Sequence, residues 1–246
     1  MNNELALLAK TDIPFAEAQL VVHQPTIKEI SLIGEERFLT GSRFLNFSKN
    51  NLNAEDKSRL EDIDDFEIFM SMMNSPGNEK MREAALLVLT LLFPGYEVVP
   101  AEKELILTSS SGMARINFTN FDAFKSILVD IFCMKSTNAE GEDYNPSDAF
   151  ASKIAEKLKK GREKVAEKKG LNRTENQKVA IYSRYVSILA IGLQKDMNQL
   201  IEYSVYQLND EFKRFQLKQS FDINLQARLA GATNLEEVEN WMDDIH

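Results

Sequence analysis

The chain has 246 residues, is 43% hydrophobic and carries a formal charge of -9, which allows a core of ordinary size in one large domain or two modest ones. The charge is uneven: residues 1–150 hold 24 acidic and 13 basic groups (-11), 151–170 hold 3 and 8 (+5), and 171–246 hold 11 and 8 (-3). An acidic chain with one basic segment argues against general affinity for nucleic acid, and a single cysteine, Cys133, excludes an intrachain disulfide or a Cys-based metal cluster and suits a reducing compartment.

At the start, MNNELALLAK lacks a basic n-region, so a secretory signal is not expected. Residues 20–47 alternate short apolar runs with turn residues: Leu20 to Val22, Ile27 to Ile33, then Arg37 to Leu39 before a Gly41-Ser42 turn. This pattern predicts small strands or a mixed strand and helix element. Asn53 is a candidate cap for a polar helix from Ala54. Leu60 to Met73 reads as an amphipathic helix with an acidic outer face, broken at Asn74-Ser75-Pro76-Gly77. A second helix over Met81 to Phe93 ends at Pro94-Gly95. Its apolar block, Ala84 to Phe93, is far shorter than the roughly 20 residues needed to span a bilayer.

Three β-rich runs follow, Tyr96 to Val99, Glu104 to Thr108 and Ala114 to Phe118, and predict a hairpin or three-stranded meander. Asn120 is a candidate N-cap for a helix over Phe121 to Met134. Ser136 to Asp143 (STNAEGED) has linker composition. Beyond it, Ala149 to Lys169 forms an Ala- and Lys-rich helix with a thin apolar seam. A capping-box signal at Thr174 and Gln177 starts another helix that runs to about Met197, apolar nearly all round. With no Gly or Pro between them, that helix and the next are either continuous or bent near Asn198. Asn234 to Met242 supplies a last short helix. The reading is an α+β, mainly α protein, with an N-terminal domain (1–137) holding a small antiparallel sheet or hairpin plus helices, and a C-terminal helical domain (144–246).

Tyr203 to Trp241 is the most distinctive stretch. Val205, Leu208, Phe212 and Phe215 lie on one helical face, while Leu217, Phe221, Leu225 and Leu229 recur every four residues on another. Gly231 ends the helix. One face suits the core and one is left for a partner, and the sequence leaves open which is which. Tyr206, Phe212, Phe215, Phe221 and Trp241 are the candidate partner-binding residues.

The patterns that carry chemistry are weak. Asp62, Asp64, Asp65 and Glu67 lack the glycine and terminal glutamate of a calcium loop and fit a helix face better. Lys153, Lys157, Lys160, Lys164 and Lys168 share one helix face, but without interleaved aromatics they read as a partly salt-bridged helix or a face for an acidic protein. His23 and His246 have no metal-ligand neighbours at suitable spacing. Cys133, between Phe132 and Met134, reads as an inert core thiol. No phosphate loop or nucleophile motif is present; no enzyme, metal or cofactor is expected.

The segments IKEISLIGEERF, LLFPGY, YNPSDAFASKIAEKLKKGR, VYQLNDEFKRFQLKQSFDINLQARLAGA and ENWMDDIH together resemble the tail assembly chaperones of long-tailed bacteriophages, over most of the chain. The resemblance implies a non-enzymatic protein of the host cytoplasm that binds the tape measure protein, keeps it soluble and helps tail tube protein assemble around it, with homo-oligomerisation open and no membrane role. The competing expectations are a structural virion component, such as a connector or baseplate subunit, and a nucleic-acid-binding regulator using the basic segment.

Overall fold

A short helix, α1 (Glu4–Leu8), leads into a two-stranded antiparallel hairpin, β1 (Ile13–Phe15) and β2 (Leu20–Val22), in the computed structural model of the chain, which describes residues 4–49, 58, 60, 62–110, 112–134, 181–231 and 242. Helices α2 (Ile27–Ile33), α3 (Glu35–Leu45), α4 (Asp65–Asn74) and α5 (Glu79–Leu92) follow. Next comes the meander β3 (Glu97–Pro100), β4 (Leu105–Ser109) and β5 (Gly112–Ile116), antiparallel in the order β3-β4-β5. Helix α6 (Phe121–Phe132) and then α7 (Tyr182–Leu193), α8 (Met197–Leu200) and α9 (Val205–Leu229) complete the described elements. The α+β, mainly helical class and the meander are thus as the sequence pattern predicts.

The core is strongly aromatic. Phe124 stacks on Phe15 and Phe93 at ring centroid distances of 5.7 and 5.8 Å, and Phe121 meets Phe66 and Phe69 at 4.9 and 5.1 Å. Phe38 sits edge-on to Phe132 at 5.1 Å and to Tyr182 at 6.0 Å. Such pairs add about 0.5–1.5 kcal/mol each beyond their area burial. They tie β1, α3, α4, α6 and α7 to one interior.

That interior crosses the predicted boundary at 137 and 144. The described residues of 4–134 and 182–231 fall in one compact unit. Tyr182, Val186, Leu189, Leu200, Val205 and Leu208 are buried in the same core cluster as Leu7, Phe38 and Phe132. The helices after 181 therefore complete the N-terminal core and do not build a separate one. The STNAEGED stretch, the Lys153–Lys169 face, the Thr174 capping box, the Asn53 cap and the Asn234 helix fall outside the described residues, apart from Met242.

Three local expectations change. Gly41 and Ser42 are not a turn but the buried inside of α3, where Gly41 lets the backbone of α5 approach: a Cβ there would stand 2.3 Å from the Ala84 carbonyl oxygen. The acidic cluster starts a helix, with the Asp64 side chain accepting from Phe66 N at 2.7 Å. Asp65 turns inward, accepting from Lys125 Nζ at 2.7 Å and Lys49 N at 3.0 Å. Burial pushes the Asp65 carboxyl up, but the hydrogen bonds from Lys125, Lys49 and Ser48 outweigh it and hold the group below its ordinary value. Asn120 makes no side-chain cap to α6; its amide donates to Arg115 O at 3.0 Å and its Oδ1 accepts from Asn117 N at 2.9 Å, fastening the β5–α6 turn.

Candidate functional site

Helix α9 is rooted by a joint of two capping boxes. In each, a hydroxyl accepts the N3 amide of its helix while the N3 side chain accepts the cap's own amide: Thr26 with Glu29 at α2, and Ser204 with Gln207 at α9. Thr26 and Ser204 face each other in an antiparallel bridge. Ile27 N and Lys28 N donate to the carbonyls of Tyr203 and Ile201 at 2.9 and 2.8 Å. The start of α2 thus gives its otherwise unpaired amides to the segment that begins α9. The sequence signal for both boxes was the pattern S/T-x-x-E/Q, at Thr26 to Glu29 and Ser204 to Gln207.

Between α7 and α9 the chain breaks without Gly or Pro. Gln194 takes φ 53 after the end of α7, Asp196 caps α8 through Asn198 N at 2.9 Å, and Ser204 caps α9. The two helices are therefore separate, and they cross. Tyr185 of α7 stacks on Phe212 of α9 at 3.8 Å with an 11° interplanar angle. Phe215 lies over Gly192, where a Cβ would be 2.4 Å from Cζ of the ring.

Beside this crossing runs a groove of about 380 Å³ lined by Leu8, Leu193, Tyr203, Phe215 and a charged rim. Lys195 pairs with Glu211 and donates to the Tyr203 hydroxyl at 2.9 Å. Burial pushes the Lys195 ammonium down, but Glu211 and Tyr203 outweigh it and raise it. On α9, Arg214 pairs with Asp210 at 3.2 Å and Lys218 with Asp222 at 2.7 Å. The rim is charged but internally neutralised at these contacts.

The two apolar faces of α9 separate cleanly. Val205 and Leu208 are fully buried, and Phe212 and Phe215 pack half-buried against the core. Among the described residues, none of α9 beyond Phe215 belongs to that core or packs on it. Leu217 and Phe221 are half-buried, and Ile223, Leu225 and Leu229 are 64%, 47% and 81% exposed. At about 100° per residue, Gln207, Glu211, Arg214, Lys218, Phe221, Leu225 and Leu229 fall in one row. Its first four residues line or border the groove, and its last three are apolar.

Of the residues expected to hold a partner, Tyr206 is core: it is 5% exposed and packed within the cluster that includes Leu7 and Val205. Phe212 and Phe215 are occupied by Tyr185 and Gly192. Phe221 lies in the distal row. Trp241 lies outside the described residues. Leu225 and Leu229, not singled out as site residues, are the exposed members of the second face. Cys133 is buried enough that desolvation, with the carboxylates of Asp210 and Asp130 and against Lys213, pushes its thiol up to about 12, so it stays protonated. Among the described residues no group of three or more His, Cys, Asp or Glu could hold a metal ion, and no helix is long and apolar enough to cross a membrane.

Residues 175–246 match the model of the YomV second domain, a phage-derived family. The match takes in α7, α8 and α9, so the groove's principal walls and the apolar row all fall within the part of the chain that resembles a phage protein. No curated protein and no solved structure matches the chain.

Proposed function

We propose that the chain is a non-enzymatic phage tail assembly chaperone that holds a helical segment of the tape measure protein against the distal half of α9 and assists assembly of the tail tube protein in the host cytoplasm. The observation that carries this reading is the apolar row Phe221, Leu225, Leu229 on a helix whose first half is anchored in the core. An amphipathic partner helix docks on such a row through apolar residues at three- and four-residue spacing. The match to a phage-derived family over the same helix supports it, as does the sequence resemblance described above. The net charge of -9 favours solubility of the loaded complex.

The test is co-expression with the tape measure protein of the same phage. The wild-type chain is expected to keep that protein soluble and to co-purify with it. Leu225→Asp with Leu229→Asp changes only exposed positions, so unfolding stability should fall by no more than about 1 kcal/mol, about 0.5 for each substitution, while co-purification is lost. Retention of the partner by the double variant refutes the assignment of this row. Recovery of the chain in stoichiometric amounts from purified virions refutes the chaperone role itself.

A further inference from the structure

Asp12 and His23 flank the register pair of Ile13 with Val22, so their side chains meet across the open end of the β1–β2 hairpin. His23 Nδ1 lies 3.0 Å from Asp12 Oδ1, and Nε2 lies 3.4 Å from Glu29 Oε2. That same Oε2 accepts from Thr26 N and Thr26 Oγ1 at 2.7 and 2.8 Å. The His23 backbone amide donates to Leu92 O at 2.8 Å. His23 thus touches the hairpin, the end of α5 and the capping box of α2, one residue pair away from the Ser204 cap of α9.

Both ring nitrogens face carboxylate oxygens. An ionised carboxylate only accepts hydrogen bonds, and a neutral imidazole has one N–H and one lone pair. Only the imidazolium donates to Asp12 and Glu29 together. Burial pushes the Glu29 carboxyl up, but the Thr26 amide, the Thr26 hydroxyl and His23 outweigh it and hold Glu29 below the usual carboxylate range, so Glu29 remains an acceptor at neutral pH.

We propose that His23 is a proton-operated latch: its imidazolium ties the β1–β2 hairpin to the start of α2 and through it to the root of α9, and loss of the proton releases one of the two carboxylates. The charged groups facing the ring are Asp12 from the hairpin side and Glu29 from α2, while the Leu92 carbonyl of α5 engages the His23 backbone amide. A group that gains partners as a cation contributes stability that is present at low pH and is lost as pH rises through its titration. The latch is independent of what docks on α9.

Urea unfolding of the full chain at about pH 5.5 and about pH 8, beside His23→Gln, tests it. The wild-type unfolding constant is expected to rise roughly three- to tenfold more than that of His23→Gln on going to the higher pH, a modest change because both ion pairs are partly exposed. Nitrogen-edited NMR of the His23 ring should show two N–H groups at the lower pH. Equal pH responses of the two proteins, or a single ring N–H at the lower pH, overturn the proposal. If His23→Gln does not fold, Asp12→Asn keeps the imidazole but removes one of its two carboxylates, and its unfolding constant should change less between the two pH values than that of wild type; an equal change overturns the proposal.

Discussion

Replacing Gly41 by alanine pits two effects of opposite sign against each other. Gly41 sits inside α3, where alanine is ordinarily the better residue by about 1 kcal/mol. Its added Cβ would stand 2.3 Å from the oxygen and 2.6 Å from the carbon of the Ala84 carbonyl, and 2.8 Å from Cγ2 of Val88. Two of those three atoms are backbone, so no rotamer change relieves them. Restoring an ordinary 3.4 Å contact requires α5 to retreat by about 1 Å, and a gap of that size forfeits a quarter to a half of each contact it opens. The α3–α5 pair is the most extensive helix contact of the described fold, so the cost falls at the upper end of the roughly 1–3 kcal/mol usual for overpacking. The net expectation is a loss of about 2 kcal/mol, or ~4–8 °C in Tm for a unit of this size. Urea and thermal unfolding measure it. A variant as stable as wild type or more so would show that helix propensity governs this position and that the close approach is not needed.

Asp65→Asn should flatten the acid limb of the stability profile. Asp65 is held below its ordinary value of 3.8, so its contribution is present above that pH and is lost as pH falls through the lowered titration. Chemical unfolding at successive acidic pH values should show a smaller acid-induced loss in the variant, and an unchanged limb would refute the role of the Lys125 pairing. Thr26→Ala and Ser204→Ala should each cost about 1 kcal/mol as lost helix caps. Because the two caps share one bridge, a double-mutant cycle should give a coupling of at least about 0.5 kcal/mol, and strict additivity would mean the boxes act independently.

Much of the fold was legible because it follows simple periods. Alternating apolar runs bounded by Gly and Pro marked the meander, and the offsets of four, three and four from Val205 to Phe215 marked the face that the core covers. What escaped depended on partners distant in sequence. Gly41-Ser42 carries turn chemistry, yet the glycine serves the approach of Ala84 about forty residues on. Helices α7 and α9 separate at Gln194, a non-glycine residue with positive φ, where neither composition nor hydrophobic period signals a stop. Tyr206, a candidate partner residue, is buried because α1 packs on this end of α9, with Gln207 Nε2 donating to Leu8 O at 2.7 Å. Composition is equally local: the polar stretch at 136–143 reads as a linker from its own residues, whereas the shared burial of Phe38, Phe132 and Tyr182 joins residues far apart in sequence.

The distal half of α9 also has a reason to stay helical where the described core no longer supports it. An isolated helix of about a dozen residues is marginal in water because its first turn is costly to nucleate. Here that turn is already built, since Ser204 and Gln207 cap it and Val205 and Leu208 are buried. Propagation past Phe215 then adds one hydrogen bond for each residue fixed, and the Lys218–Asp222 pair at i and i+4 adds to it. The helix ends where Ala230 and Gly231 close it, Gly231 with φ 93. The ordering cost of residues 216–229 is therefore met largely within the free chain. A partner helix that meets Leu225 and Leu229 encounters a preformed row, and binding to a preformed surface loses less affinity to ordering than binding to one that must fold first.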